Sequence, residues 1–120
     1  MIHNPKGRIK LQDHSNRVSV RLDGVLIADT DQAVELTEKG YPDRQYLPRD
    51  ALVAGTLQPS ETVTVCPFKG QASYYHFVLA DRVLQDAVWA YEEPVESMAP
   101  IAGRIVFDPA YFTQTVEATR

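Results

Sequence analysis

The sequence predicts a single, mostly β domain that contains no more than short helical turns. Its 120 residues are the usual size of one domain, and 44% hydrophobic with 23% charged residues is an ordinary globular composition. Eight prolines and six glycines divide the chain into short segments, which favours strands and turns over long helices. Short apolar and β-branched segments recur between these breaks, so we expect a curved sheet, a barrel or a sandwich.

The first half of the chain predicts three strands. Arg17–Leu22 alternates polar and apolar residues, which is the pattern of a half-buried strand. Asp23-Gly24 follows as a predicted hairpin turn, because glycine accepts a positive φ. The further predictions, in chain order, are a returning strand at 25–28, a turn at 29–32, a third strand at 33–36 and an irregular loop at 40–49.

The second half has stronger β signals. The run Thr62-Val63-Thr64-Val65 is β-branched throughout and predicts a strand. Further strands are predicted at 72–79, 85–91 and 104–107, with a loop and short helical turn at 92–100 and a short helix or fraying tail at 109–118. We therefore expect a β domain at 15–110, an N-terminal extension at 1–14, and a C-terminal tail or short helix at 111–120.

The composition excludes several classes of partner. The formal net charge is -4, so the chain lacks the basic surface that nonspecific nucleic-acid binding requires. No apolar run is long enough to cross a bilayer, and the first residues lack the apolar core of a signal peptide. A single cysteine cannot form an internal disulfide. We expect a cytoplasmic protein with no nucleic-acid or membrane partner, and we leave open a homodimer through an exposed hairpin edge.

The segment Cys66-Pro67-Phe68-Lys69-Gly70 is the main candidate site. A thiolate is a strong nucleophile, and a nearby cation favours it by lowering the pKa of the thiol. Lys69 would supply this cation if the chain turns at Pro67. The alternative is that Cys66 is a small buried hydrophobic residue at a strand end.

Lys69 and Gly70 also suggest an anion site. Glycine permits an open turn, whose N–H groups together with an ammonium group can hold a phosphate or a carboxylate. The spacing differs from that of a P-loop. The alternative is a simple connecting turn with a solvated lysine.

Ser73, Tyr75 and Trp89 are predicted to form an aromatic wall with a hydroxyl group, which would suit a small planar ligand. The alternative is that Trp89 and one of the adjacent tyrosines are core residues. Tyr74 and Tyr75 face opposite sides of a regular strand, so at most one of them points at a given pocket.

Several of these segments occur in the order found in a known family. The matching segments are Tyr46-Leu47-Pro48-Arg49-Asp50, Cys66-Pro67-Phe68-Lys69-Gly70, Ala72-Ser73-Tyr74-Tyr75, Ala87-Val88-Trp89-Ala90-Tyr91, Pro94, and Ile101-Ala102-Gly103 through Phe107. Across residues 15–110 the chain closely resembles the bacterial family called domain of unknown function 427, which carries a nucleotidyltransferase label. The resemblance implies a fold similar to the β-tent group, in which two antiparallel sheets meet at an angle with a pocket between them.

The same resemblance raises the question of a metal. Nucleotidyltransferases use paired carboxylates to hold magnesium ions, but Asp29 and Asp31 lie in a predicted turn, where aspartate is common for its own hydrogen bonds. Many β-tent relatives hold zinc through paired cysteines, and a chain with one cysteine cannot form a four-cysteine site. His3, His14 and His76 lack metal-ligand spacing. We therefore predict no metal and no cofactor.

Three functions remain open. We favour the binding of a small polar or anionic molecule in a pocket lined by Cys66, Lys69, Ser73, Tyr75 and Trp89. The second function is an enzyme that uses Cys66 or Lys69 in covalent or acid/base chemistry. The third is a structural or interaction domain in which the Cys-Pro-Phe-Lys-Gly segment only closes the fold.

Overall fold

The computed structural model describes residues 8–118. In this range the chain forms ten strands and two 3₁₀ segments, Arg49–Ala51 and Glu96–Ile101. The strands are β1 (Ile9–Asp13), β2 (Arg17–Leu22), β3 (Val25–Thr30), β4 (Val34–Glu38), β5 (Arg44–Tyr46), β6 (Thr56–Cys66), β7 (Gly70–Val78), β8 (Val83–Ala90), β9 (Ile105–Phe107) and β10 (Thr113–Glu117). His3 lies outside the described residues.

The predicted mostly β class with only short helical turns is confirmed. The strands form three antiparallel sheets where the resemblance implied two, with the orders β1-β4-β5, β10-β2-β3 and β6-β7-β8-β9. None of the helical segments in the described part of the chain is long and apolar enough to span a bilayer.

The four-stranded sheet lies between the two smaller sheets and is buried on both faces at β9. Ile105 and Phe107 join the core that is shared with β2 and β3, whereas Val106 joins the core that is shared with β1, β4 and β5. All three side chains are buried. This alternation follows from the period of two along a strand, and it gives the domain one core on each side of the central sheet.

The predicted hairpin at Asp23-Gly24 is confirmed. Asp23 and Gly24 have φ values of 50° and 84°, so both central residues of the turn are in the left-handed region. This is the geometry that connects two antiparallel strands in a tight hairpin. The turn joins β2 to β3, whose first paired residues are Leu22 and Val25.

The turn predicted at 29–32 begins later than expected. Asp29 and Thr30 belong to β3, where Thr30 pairs with Val18 of β2. The Oγ1 atom of Thr30 then accepts a hydrogen bond from the N–H of Gln32 at 3.0 Å. The side-chain hydrogen bond that initiates the turn therefore comes from the last strand residue, since threonine can serve both in a strand and in a turn.

The β structure extends beyond the predicted 15–110 domain at both ends. Ile9–Asp13, which fell in the predicted extension, pairs with β4. Thr113–Glu117, predicted as helix or tail, is a strand that pairs with β2. The outer edge of each partner strand presents backbone groups that need hydrogen-bond partners, and the two terminal segments supply them.

Strand β6 is one of the two outer strands of the four-stranded sheet. Val63 and Val65 on this strand are 54% and 74% exposed. An exposed edge of this kind is a place where strands of two molecules can pair. The homodimer stays a prediction, and β6 is the edge at which we expect it.

Candidate functional site

The Cys66–Gly70 turn forms one wall of a cleft of about 340 Å³. The turn is closed by a hydrogen bond from the Lys69 N–H to the Cys66 carbonyl at 3.2 Å, and the Val95 N–H binds the Lys69 carbonyl at 2.9 Å. The opposite wall comes from the end of β4 and the segment before β5. We call this site the Arg44 cleft, and its lining residues are Leu36, Glu38, Tyr41, Pro42, Arg44, Cys66, Pro67, Phe68 and Lys69.

A buried carboxylate holds two cations at the wall of the cleft. Glu38 Oε1 lies 3.2 Å from Lys69 Nζ, and its Oε2 lies 3.3 Å from Arg8 Nε. The side chains of Glu38 and Lys69 are only 8% and 14% exposed. The Arg8 guanidinium also lies over the rings of Phe68 and Tyr41, at 5.1 and 5.8 Å from their centroids. The solvated lysine considered above is therefore wrong, since the Lys69 ammonium is paired with Glu38 and is largely shielded from water.

Arg44 presents an uncompensated positive charge to the same cleft. Its guanidinium carbon lies 5.4 Å from the centroid of the Trp89 ring, which packs in turn against Tyr74 at 6.2 Å. No carboxylate within residues 8–118 forms an ion pair with Arg44. The stacking contact on Trp89 restricts the guanidinium and leaves its N–H groups available.

The Cys66 side chain is half-buried at the cleft and packs against the core below it. Neither histidine in the described residues hydrogen-bonds to it. His76 Nδ1 accepts the N–H of Asp86 at 3.1 Å, and His14 Nε2 bonds to Gln45 Oε1 at 2.7 Å. Neither described histidine is therefore placed to act as a base for Cys66.

The five predicted site residues divide between the two faces of the central sheet. Cys66 and Lys69 line the cleft, and Trp89 lies behind it, under Arg44. Alternation along β7 places Ser73 and Tyr75 on the opposite face from Tyr74, which packs against Trp89. The structure thus brings three of the five together and places Ser73 and Tyr75 away from them.

Tyr75 belongs to a separate polar cluster. Its hydroxyl donates a hydrogen bond to Glu92 and accepts one from Arg49 Nη2 at 3.1 Å, while Arg49 Nη2 lies 2.6 Å from Glu92 Oε2. Burial and the hydrogen bond to Glu92 raise the pKa of Tyr75. Arg49 Nε also donates to the Gly103 carbonyl at 3.0 Å. The cluster joins β7 to the first 3₁₀ segment and to the chain after β8.

The aspartate pair suggested by the nucleotidyltransferase label is bridged by an arginine. Arg17 Nη1 lies 3.4 Å from Asp29 Oδ2, and Arg17 Nη2 lies 3.9 Å from Asp31 Oδ2. The Ser19 hydroxyl donates to Asp29 Oδ1 at 3.2 Å. The pair lies outside the Arg44 cleft. Within residues 8–118, no group of three or more His, Cys, Asp or Glu side chains is placed to hold a metal ion.

The comparison with family models supplies the relationship of the chain to known proteins. Residues 10–118 match the family described as Domain of unknown function (DUF427), whose model carries the label NTP_transf_9. The chain belongs to the DUF427 family. The match confirms the resemblance drawn from the sequence. No curated protein matches the chain.

Sequence reasoning missed the two charged residues that define the site of this DUF427 domain, Glu38 and Arg44. A signal for Glu38 was present, because Val34 and Leu36 are buried at alternate positions of β4 and Glu38 continues the same face. The prediction ended this strand at residue 36 and so left Glu38 out. Arg44 had no comparable signal, since its contact with Trp89 depends on the packing of β5 against the central sheet.

Replacing Gly70 by alanine is expected to lower the free energy of unfolding by about 1–3 kcal/mol. Gly70 has a φ of 113°, and a Cβ atom would lie 3.4 Å from both Pro94 Cα and Val95 N. Gly40→Ala is the comparison, because Gly40 has a φ of 87° and nothing within 4 Å of the added Cβ, so it is expected to lose a similar free energy from backbone strain alone. Urea unfolding measures both variants, and a Gly70→Ala variant as stable as the wild type would show that the turn tolerates a side chain.

Proposed function

We propose that this protein binds a small anionic molecule in the Arg44 cleft. The observation that carries the proposal is the state of Arg44, which lines the cleft, is held on the face of Trp89 and has no carboxylate partner within residues 8–118. A guanidinium group held in this way presents paired N–H donors that match the geometry of a carboxylate or a phosphate.

The charges around the cleft support an anionic ligand. The cations Arg8, Lys69 and Arg44 lie at or beside its wall, and Glu38 is the carboxylate among its lining residues. Positive charge is therefore in excess at this site, in a chain whose formal net charge is -4. Partial burial strengthens the attraction, because charges near a protein surface interact more strongly than charges in bulk water.

Isothermal titration with inorganic phosphate, pyrophosphate and citrate tests the proposal. We expect at least one of these anions to bind the wild type, and Arg44→Met to weaken that binding by about tenfold to a hundredfold, the equivalent of one charge-assisted hydrogen bond. Arg21→Met is the matched control, since Arg21 is an exposed arginine on β2. Absence of binding by all three anions, or equal affinity of the Arg44→Met variant, would contradict the proposal.

The enzyme hypothesis has one supporting observation, which is that Cys66 lines the same cleft as Arg44. A ligand held by Arg44 would lie near the thiol. Nucleophilic catalysis also requires a base beside the nucleophile, and the described histidines contact other groups. The binding function is therefore the better supported of the two, and a cytoplasmic location stays a prediction.

A further inference from the structure

A second cavity adjoins the Arg44 cleft. It measures about 360 Å³, and Pro42 and Arg44 line both cavities. The two spaces therefore meet at Pro42 and Arg44. Each cavity alone reaches the lower end of the range of about 300–1,000 Å³ that is typical of small-molecule sites.

The two cavities differ in chemistry. The apolar part of the second cavity's wall is formed by Pro42, Val106, Phe107, Pro109 and Phe112, and the uncharged polar residues Gln45 and Gln114 also line it. Its charged lining residues are Asp43 and the shared Arg44. The carboxylate of Asp43 would repel an anion from this side, whereas the apolar walls favour an uncharged ring or chain.

We propose that the ligand is an anion joined to an apolar or aromatic group, with the anion at Arg44 in the first cleft and the apolar group in the second cavity. This inference rests on the proposed anion-binding function and assigns the chemical class of its ligand. An inorganic anion would leave the second cavity unused, and a neutral apolar molecule would leave Arg44 without a partner. An amphipathic organic anion, such as an aryl or arylalkyl phosphate or carboxylate, matches both cavities.

The probes for this inference share one anionic group and differ in their apolar part. Methyl phosphate, phenyl phosphate and 3-phenylpropyl phosphate carry the same phosphate on groups of increasing length and apolar area. We expect the better of the two aromatic esters to bind the wild type more tightly than methyl phosphate by on the order of tenfold or more, because it buries apolar surface. Isothermal titration measures the three affinities.

A variant that fills the second cavity completes the test. Gln114 lines this cavity and is exposed on β10, so Gln114→Trp is expected to occupy the cavity without disturbing the core. We expect Gln114→Trp to remove the preference for the aromatic esters, so that the three esters bind with similar affinity. Gln12→Trp, at an exposed position of β1 that lines neither cavity, is the control and is expected to keep the preference.

The outcomes separate the two proposals. If methyl phosphate binds and the aromatic esters bind no more tightly, the anion site stands and the inference about the apolar group is wrong. The same conclusion follows if Gln114→Trp retains the full preference. If none of the three esters binds although phosphate, pyrophosphate or citrate does, the anion site stands and the inference fails. If none of these anions binds either, both proposals fail.

Discussion

Replacing Glu38 by glutamine is expected to lower the free energy of unfolding by about 3 kcal/mol, because the change leaves the largely buried Lys69 ammonium without its counter-charge. Glu38 and Lys69 are 8% and 14% exposed, so water cannot readily take the place of the lost carboxylate. Arg8 loses the same partner but is 37% exposed and can be hydrated. Most of the cost therefore arises at Lys69, and urea unfolding at neutral pH measures it.

Two further variants make the role of Glu38 specific. Glu61→Gln, on the exposed strand β6, removes a carboxylate at the surface and is expected to change stability by less than about 0.5 kcal/mol. The double variant Glu38→Gln, Lys69→Met removes both buried charges and is expected to recover much of the loss. If the double variant is no more stable than Glu38→Gln alone, the unpaired lysine is not the cause of the destabilisation.

Alkaline pH is expected to destabilise the protein steeply, through two buried tyrosines. Tyr46 and Tyr91 are 1% and 7% exposed. Burial raises the pKa of Tyr91 to about 12, with smaller contributions from the nearby Cys66 and Tyr74. Burial also raises the pKa of Tyr46. The ring centroids of the two tyrosines lie 6.4 Å apart. Both hydroxyl groups therefore hold their protons in the folded state at pH values where they would ionise in the unfolded chain.

The direction of the pH effect follows from this difference. The unfolded tyrosines ionise near their ordinary pKa of 10.0, whereas the folded ones do so only at higher pH. Stabilisation from the raised pKa values is complete below pH 10 and is lost as the pH rises toward the folded values. The loss amounts to about 1.4 kcal/mol per pH unit for each tyrosine.

Phenylalanine variants show which tyrosine hydroxyl causes the loss of stability at alkaline pH. Urea unfolding from about pH 9 to about pH 11.5 is expected to show that stability falls less steeply with pH in Tyr91→Phe than in the wild type. The difference in slope is expected to be roughly the contribution of one tyrosine. Tyr111→Phe is the control, because Tyr111 is 42% exposed. A slope in Tyr91→Phe equal to that of the wild type would show that this hydroxyl is not responsible.

The strands that the sequence predicted correctly are those whose pattern is local. The strand at Arg17–Leu22 and the turn at Asp23-Gly24 depend on neighbouring residues alone, and both are confirmed. The division into three sheets depends on pairings between distant segments, such as β10 with β2 and β1 with β4. No periodicity within a short segment encodes which distant strand it will pair with.

The candidate site shows the same division between local and long-range information. Cys66 and Lys69 lie in one turn, and the structure places both at the same cleft. Ser73 and Tyr75 share one face of β7, but the sequence could not show that this face points away from Cys66. Arg44 comes from a different sheet, and packing against Trp89 brings it to the site. This is why sequence reasoning missed it.

The fluorescence of Trp89 offers the most direct test of anion binding at Arg44. Trp89 is the only tryptophan in the chain, and the Arg44 guanidinium lies 5.4 Å from its ring centroid. Titration with pyrophosphate is expected to give a saturable change in this fluorescence that matches the calorimetric affinity and is lost in Arg44→Met. Pyrophosphate binding that leaves Trp89 fluorescence unchanged, or a full response in Arg44→Met, would contradict the placement of the anion site at Arg44.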